Sequence, residues 1–194
     1  MHMKRLLTAI FAPLVLGGLL PTTALAAWEL DLAHTHVSFQ VGHLGLSHTP
    51  GIFRKVEGHL SFDDTKIEAS TITLTIDTAS IDTANSVRDG HLRGPNWFDA
   101  EKNPNVTFVS RSVRRIDDKN YVISGDLTVR GKTMPVDFNT VLTNRTMSPF
   151  LKVPLIGFVA NAKVKRSDFG MVQIPTVIAD EVELKIALEL VQKP

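Results

Sequence analysis

Arg88, Asp89, His91 and Arg93 crowd into the run Arg88-Asp89-Gly90-His91-Leu92-Arg93. Two guanidinium groups, a carboxylate and an imidazole at this density can act as acid, base or oxyanion stabiliser. No nucleophile accompanies them: the sequence has no Gly-x-Ser-x-Gly elbow and no cysteine. The same side chains suit a salt-bridged, hydrogen-bonded loop, or contacts to the polar head of a ligand. His34 and His36 form a second group, two residues apart and so on one face of a regular strand. Imidazoles at that spacing can share a metal. A glutamate a few residues on would usually complete such a site, and Gln40 occupies that place. No catalytic residue, metal or cofactor is therefore expected, and His34 and His36 read as polar strand residues at a barrel rim. The alternatives are an enzyme working on a hydrophobic substrate through His91, Arg88 and Asp89, and a metal-binding protein using His34 and His36.

The charged run lies in the stretch from Asp77 to Pro104, the only long segment after Ala27 that does not read as strand. A connection this long inside a compact β domain is usually functional or disordered. Ile81, Val87, Leu92, Trp97 and Phe98 argue for order, because they need an apolar place to pack. The stretch is expected to form a short helical cap over one end of a β structure.

Elsewhere the pattern alternates at period two, the mark of half-buried strands. Val37, Phe39 and Val41 share one face in a strand from Trp28 to about Val41, and Ile52, Val56, Leu60 and Phe62 share one in a strand from Ile52 to Phe62. Ile72, Leu74 and Ile76 alternate with threonines from Ser70 to Asp77. Further strands run from Asn105 to Ser112, Tyr121 to Arg130, Met134 to Leu142, Gly157 to Arg166 and Glu181 to Val191. Gly131-Lys132-Thr133 reads as a tight hairpin connection, and Asn144 to Pro154 as a loop. Eight strands with one apolar face each suggest a sheet closed on itself, which removes its edges. A β-sandwich has the same periodicity. An eight-stranded barrel is just wide enough to be filled by side chains or to hold one narrow ligand.

Lys4 and Arg5, the apolar run Leu6 to Leu20 and the small-x-small site Ala24-Leu25-Ala26 make residues 1–26 a cleavable secretory signal, pointing to the periplasm. Cleavage removes Lys4 and Arg5 and takes Lys+Arg from 21 to 19 against 20 Asp+Glu. Such a near-neutral chain argues against nucleic acid as a partner. No later stretch is long and apolar enough to span a bilayer, so no stable membrane insertion is expected after cleavage. Residues 27–194 fit one domain, and without cysteine its core must stabilise it unaided. Nothing in the sequence excludes a homodimer.

Trp28-Glu29-Leu30-Asp31-Leu32-Ala33-His34-Thr35, Phe39-Gln40-Val41-Gly42-His43-Leu44-Gly45 and Gly51-Ile52-Phe53 resemble, in order, the opening of the YceI-like family of exported proteins. Ser80-Ile81-Asp82-Thr83, Arg88 to Arg93, Trp97-Phe98-Asp99-Ala100, Gly125-Asp126-Leu127-Thr128-Val129 and Arg166-Ser167-Asp168-Phe169-Gly170 continue the resemblance over residues 27–194. Thr35 departs from the family's usual serine, and His36 is an additional histidine. The resemblance implies a lipocalin-like antiparallel barrel whose elongated apolar cavity holds a polyisoprenoid lipid, such as an isoprenoid quinone, as carrier or reservoir. The expected lining is Phe39, Ile72, Leu74, Ile76, Trp97, Phe98, Phe108, Leu127, Val129, Phe138, Phe158, Ala160, Leu184 and Ile186, with Arg88, Asp89, His91 and Arg93 at the ligand head or cap. Ala160 and Ala162, small residues on the Phe158 side, suggest room within.

Overall fold

The structure is a computed structural model, and it describes residues 28–63 and 65–193. The expected signal segment lies outside these residues. Eleven strands are arranged in chain order: β1 Trp28–Leu30, β2 His36–His43, β3 Ser47–Phe53, β4 Val56–Ser61, β5 Thr71–Asp77, β6 Ile81–Asp82, β7 Asn105–Arg115, β8 Asn120–Val129, β9 Lys132–Met147, β10 Pro154–Lys165 and β11 Ile178–Gln192. Among the described residues one α-helix, α1 (Ser86–Arg93), stands between β6 and β7. No helix among the described residues is long and apolar enough to cross a membrane.

The strands form one antiparallel sheet in the order β4-β5-β7-β8-β9-β10-β11-β2-β3-β6, with β1 also on β11. Eleven segments make eight runs, because three runs are broken: β1–β2, β3–β4 and β5–β6, the last by a turn at Thr78–Ser80. β1 and β2 both pair with β11 but are separated by a turn at Asp31–Thr35. Its cause is local: Asp31 accepts hydrogen bonds from the Ala33 amide and the His34 ring, both at 2.9 Å, and folds the backbone back on itself. The expected single strand Trp28–Val41 is thus two.

β3 and β4 are likewise one run bent at Arg54-Lys55, pinned by hydrogen bonds from both amides to Ser80. The upper half pairs with β2 and β6, the lower half with β5. The bend therefore joins the two ends of the sheet and curls it into a lipocalin-like barrel. It also shifts the alternation by one residue. Phe53 faces inward and Ile52 is exposed, against the expected inward Ile52.

Two connections differ from expectation. The β8–β9 turn is Arg130-Gly131, both with positive φ (51° and 71°), the primed geometry that matches strand twist. β9 continues to Met147 through the residues expected as a loop, and pairs there with the start of β10.

Rings fill the lower end of the barrel. Trp28, Phe62, Phe158 and Tyr121 meet in consecutive edge-on contacts with centroids 5.7, 5.9 and 6.4 Å apart. The upper end, beneath α1 and the turns that follow it, is hollow.

Candidate functional site

The hollow is a cavity of about 470 Å³, within the usual range for small-molecule sites. Its walls come from the inward positions of β2, β5, β7, β8, β9 and β11. Two wall rings are set by glycines across a strand pair. Phe39 lies over Gly51, its partner on β3, where an added Cβ would stand 2.5 Å from Cε1. Phe108, whose direct partner is Leu127, lies over Gly125 as a diagonal neighbour on β8. A ring lying over a glycine hugs the wall and leaves the axis of the barrel open.

Eleven of the fourteen expected lining residues face this cavity: Phe39, Leu74, Ile76, Trp97, Phe98, Phe108, Leu127, Val129, Phe138, Leu184 and Ile186. Ile72 and Phe158 do not. They lie lower and line a separate void of about 40 Å³ between the barrel's aromatic floor and Leu74, which borders both spaces. Ala160 lines neither space. It is buried against β9 and β11, so the room that its small side chain leaves is already taken.

The cap begins at Asn85, whose side chain accepts the Arg88 amide and starts α1. Of the four charged cap residues, Arg88 and His91 line the cavity. Arg88 donates from Nε to Thr83 Oγ1 (2.8 Å) and from Nη2 to the Thr83 carbonyl (2.7 Å). Asp89 is buried on the other side of the helix. Its Oδ1 accepts both the amide and the hydroxyl of Thr83, at 2.9 and 2.6 Å. Arg93 donates to the carbonyls of Ala79 and Ile81. Asp89 and Arg93 thus tie α1 to the chain around β6 and leave the cavity to the other two. These ties are hydrogen bonds to a threonine and to backbone, where a salt-bridged loop was one expectation. Trp97 and Phe98 then drop from the following turns onto the cavity, Phe98 edge-on to Phe53 at 5.8 Å.

Arg166 was not among the expected site residues, although it opens the Arg166-Ser167-Asp168-Phe169-Gly170 motif. It is buried, lines the cavity and lies over the Trp97 ring at 5.5 Å. Its fork donates to the carbonyls of Ala179 (3.0 Å), Ile178 (2.9 Å) and Met171. Burial lowers its pKa from the ordinary arginine value, and nearby Asp180 works against that shift. An inward arginine after an apolar strand was the signal available. Phe53, Phe169, Met171, Ile174 and Val177 complete the upper wall.

The geometry does not assemble the alternative sites in the form expected. Asp89 is committed to Thr83, so His91, Arg88 and Asp89 do not converge on one point in the cavity. The His91 imidazole has no hydrogen-bond partner among the described residues, and hence no orienting carboxylate of the kind a general base uses. His34 meets Asp31 (2.9 Å) and Glu189 (3.9 Å), and not His36. Its hydrogen bond with Asp31 raises the His34 pKa and lowers that of Asp31.

Comparisons with known proteins agree with this architecture. The family model for the YceI-like domain matches residues 28–190. A UPF0312 protein of Photorhabdus laumondii is 35% identical over 185 residues, covering 93% of this chain and 95% of its own length. Protein YceI of Escherichia coli is 34% identical over 192 residues, covering 98% of both. Among solved structures, Burkholderia cenocepacia BcnA superposes with a TM-score of 0.75 at 28% identity, over 83% of this chain and 99% of that one. A polyisoprenoid binding domain from Saccharophagus degradans, implicated in plant cell wall breakdown, shares the fold with a TM-score of 0.66 at 16% identity, over 87% of this chain and 99% of its own. The chain belongs to the YceI-like family.

Proposed function

We propose that this protein is a periplasmic carrier or reservoir that shields a polyisoprenoid chain, such as the tail of an isoprenoid quinone, from water, and that it performs no chemistry on it. The observation that carries this reading is the lining of the cavity. It is predominantly apolar, and its polar side chains (His43, Thr49, Thr83, Arg88, His91 and Arg166) belong to the upper strands, the cap and the neighbouring turns. That is the distribution a long tail and a small polar head require. The fold shared with a domain named for polyisoprenoid binding adds support.

The size of the cavity sets the energetics. At roughly 30 Å³ per carbon-sized group, as for water in the liquid, 470 Å³ holds about sixteen carbons, or three isoprene units. At about 0.8 kcal/mol per buried CH₂ this offers roughly 13 kcal/mol gross, from which the costs of association and ordering are subtracted. Specificity for tail length is weak on this basis, since one methylene discriminates little. The periplasmic placement rests on the leader read from residues 1–26.

Mass spectrometry of an organic-solvent extract of the purified protein tests the proposal. A prenyl lipid present in near-stoichiometric amount is the expected result. Its repeated absence, together with no binding of added prenyl quinone, overturns the carrier reading. Unchanged quinone uptake by His91→Ala is also expected, because no step depends on that imidazole.

A further inference from the structure

The cavity opens where its lining reaches solvent, at His43 and Ile174 on one side and His91 on the other. Two segments frame the first side, residues 42–53 and residues 169–179. Neither contains an Asp, Glu, Lys or Arg, in a chain in which 21% of residues are charged. They are stitched edge to edge. The Leu44 amide donates to the Val177 carbonyl at 2.8 Å, and His43 pairs with Ile178. From this rim Leu44, Leu46, Val172 and Ile174 project into solvent, Leu46 with 82% of its surface exposed. Isolated apolar residues on a surface need no explanation, but an uncharged, contiguous rim at one mouth of an apolar cavity does.

We propose that this rim docks on the hydrocarbon of a lipid bilayer, so that the polyisoprenoid passes between membrane and cavity without entering water. The inference rests on the carrier reading and adds the donor and acceptor to it. Continuity selects the bilayer as occupant, because the rim extends the apolar lining outward without a charged residue in either segment. Capacity does so too. A tail longer than about three isoprene units leaves carbon at the mouth, and only an apolar phase covers it without hydration. Neither segment carries a charged side chain of its own, although Arg130 donates to the Gly170 carbonyl at its edge, so attachment depends chiefly on burial and little on anionic lipid. The other prominent apolar projection, Phe150 (90% exposed) and Leu151, lies on the β9–β10 turn at the far end of the barrel from the mouth. It provides an internal control.

The test is sedimentation of the purified protein with phosphatidylcholine vesicles that contain no prenyl lipid, at physiological salt. The wild-type chain is expected to sediment with the vesicles. Leu44→Ser/Leu46→Ser/Val172→Ser, none of which lines the cavity, is expected to lower the partition coefficient by about tenfold or more. Phe150→Ser/Leu151→Ser is expected to leave it unchanged. Wild-type protein that stays in solution overturns the inference, as does a rim variant that sediments like wild type, or loss confined to the Phe150 variant. A rim variant that only turns a dimer into a monomer by sedimentation velocity, with vesicle binding intact, assigns the rim to a second copy and overturns it as well. Uptake of a prenyl quinone from an ethanol dispersion reads the carrier function separately and shows that the rim variant is folded. Docking without uptake defeats the carrier reading alone, and uptake without docking defeats the rim alone.

Discussion

Replacing Gly51 with alanine perturbs the cavity without touching its lining chemistry. Gly51 faces Phe39 across β2 and β3, and an added Cβ would lie 2.5 Å from Cε1 and 2.9 Å from Cε2 of that ring. Carbon contacts are comfortable at about 3.5–4.0 Å, and Cζ would stand closer still than Cε1, so the ring must retreat by roughly 1.5 Å. Phe53 blocks one side with its centroid 5.9 Å away, and Phe98 backs Phe53 in turn. The side left open is the cavity. The backbone at Gly51 is not left-handed, so alanine is conformationally free to replace it and regains roughly 0.5–1 kcal/mol that glycine costs in a strand. Overpacking costs about 1–3 kcal/mol when side chains cannot move. Because this ring can move, the change in stability of the empty protein should stay within about 1 kcal/mol. The ligand bears the cost. A ring pushed inward takes the space of about one isoprene unit, up to roughly 4 kcal/mol of gross burial at 0.8 kcal/mol per carbon, so affinity for a prenyl quinone should fall between tenfold and about a thousandfold. Quenching of Trp97 fluorescence by the quinone measures this, since Trp97 lines the same space. Adding Phe39→Ala removes the clash and should restore binding. Unchanged affinity in Gly51→Ala, or a loss that Phe39→Ala does not relieve, refutes the reasoning.

Other perturbations have equally definite outcomes. Arg166→Met strips donors from three carbonyls around a buried site and should cost about 3 kcal/mol or more in urea unfolding. Asp89→Ala leaves the buried Thr83 amide and hydroxyl without their acceptor, costing about 1–3 kcal/mol, with faster hydrogen exchange at the cap as the local readout. Leu74→Ala should join the two voids, lower stability by about 2–5 kcal/mol and shift the tails recovered by mass spectrometry toward greater length. The Asp31 carboxyl is held below its ordinary value of 3.8 by the His34 hydrogen bond, so its contribution is present above that pH and fades as pH falls through the lowered value. His34 is held above 6.5 by the same bond, so its contribution is full below 6.5 and is lost as pH rises through the raised value. The pair therefore supports the β1–β2 turn best between those two values, and His34→Gln should flatten the decline in urea midpoint between pH 6 and pH 8.

Period-two alternation identified the inward face wherever a strand runs straight. Leu74 and Ile76 of β5, Leu127 and Val129 of β8, and Leu184 and Ile186 of β11 all face the cavity. It failed where the chain bends, because each irregularity moves every later residue to the opposite face. At Arg54-Lys55 the shift turned Phe53 inward in place of Ile52. In β7 the irregularity between Ser110 and Ser112 keeps Phe108 and Val113 inside while Val109 is exposed. The cap was legible from its apolar residues, with the exception of Val87, which the helix turns to solvent with 67% of its surface exposed, but its charges were not sorted. Arg88 and His91 face the cavity, while Asp89 and Arg93 hold the helix down. Neighbours in sequence diverge on a helix according to 3.6-residue geometry, and composition does not carry that phase.

Alternation also says nothing of height along the barrel, and height decides whether the inside is hollow. Ile72 and Phe158 belong to the same inward faces as Leu74 and Ile186, yet they sit at the level where Trp28, Phe62 and Tyr121 meet and close the floor. Higher up, the aromatic residues are more numerous (Phe39, Phe53, Trp97, Phe98, Phe108, Phe138 and Phe169) and yet leave a hollow. Phe39 and Phe108 have Gly51 and Gly125 to lie over, so their rings line the wall. A glycine beneath an aromatic ring is therefore a local signature of open space, and it holds here even where the rings also touch others, as Phe108 touches Phe138 with centroids 5.1 Å apart. The alanines at 160 and 162 pointed the wrong way because small side chains make room only if no neighbour enters it. Glycine beneath a phenylalanine ring, directly opposite for Phe39 and diagonal for Phe108, differs in that it fixes where the large ring goes, and here that is against the wall.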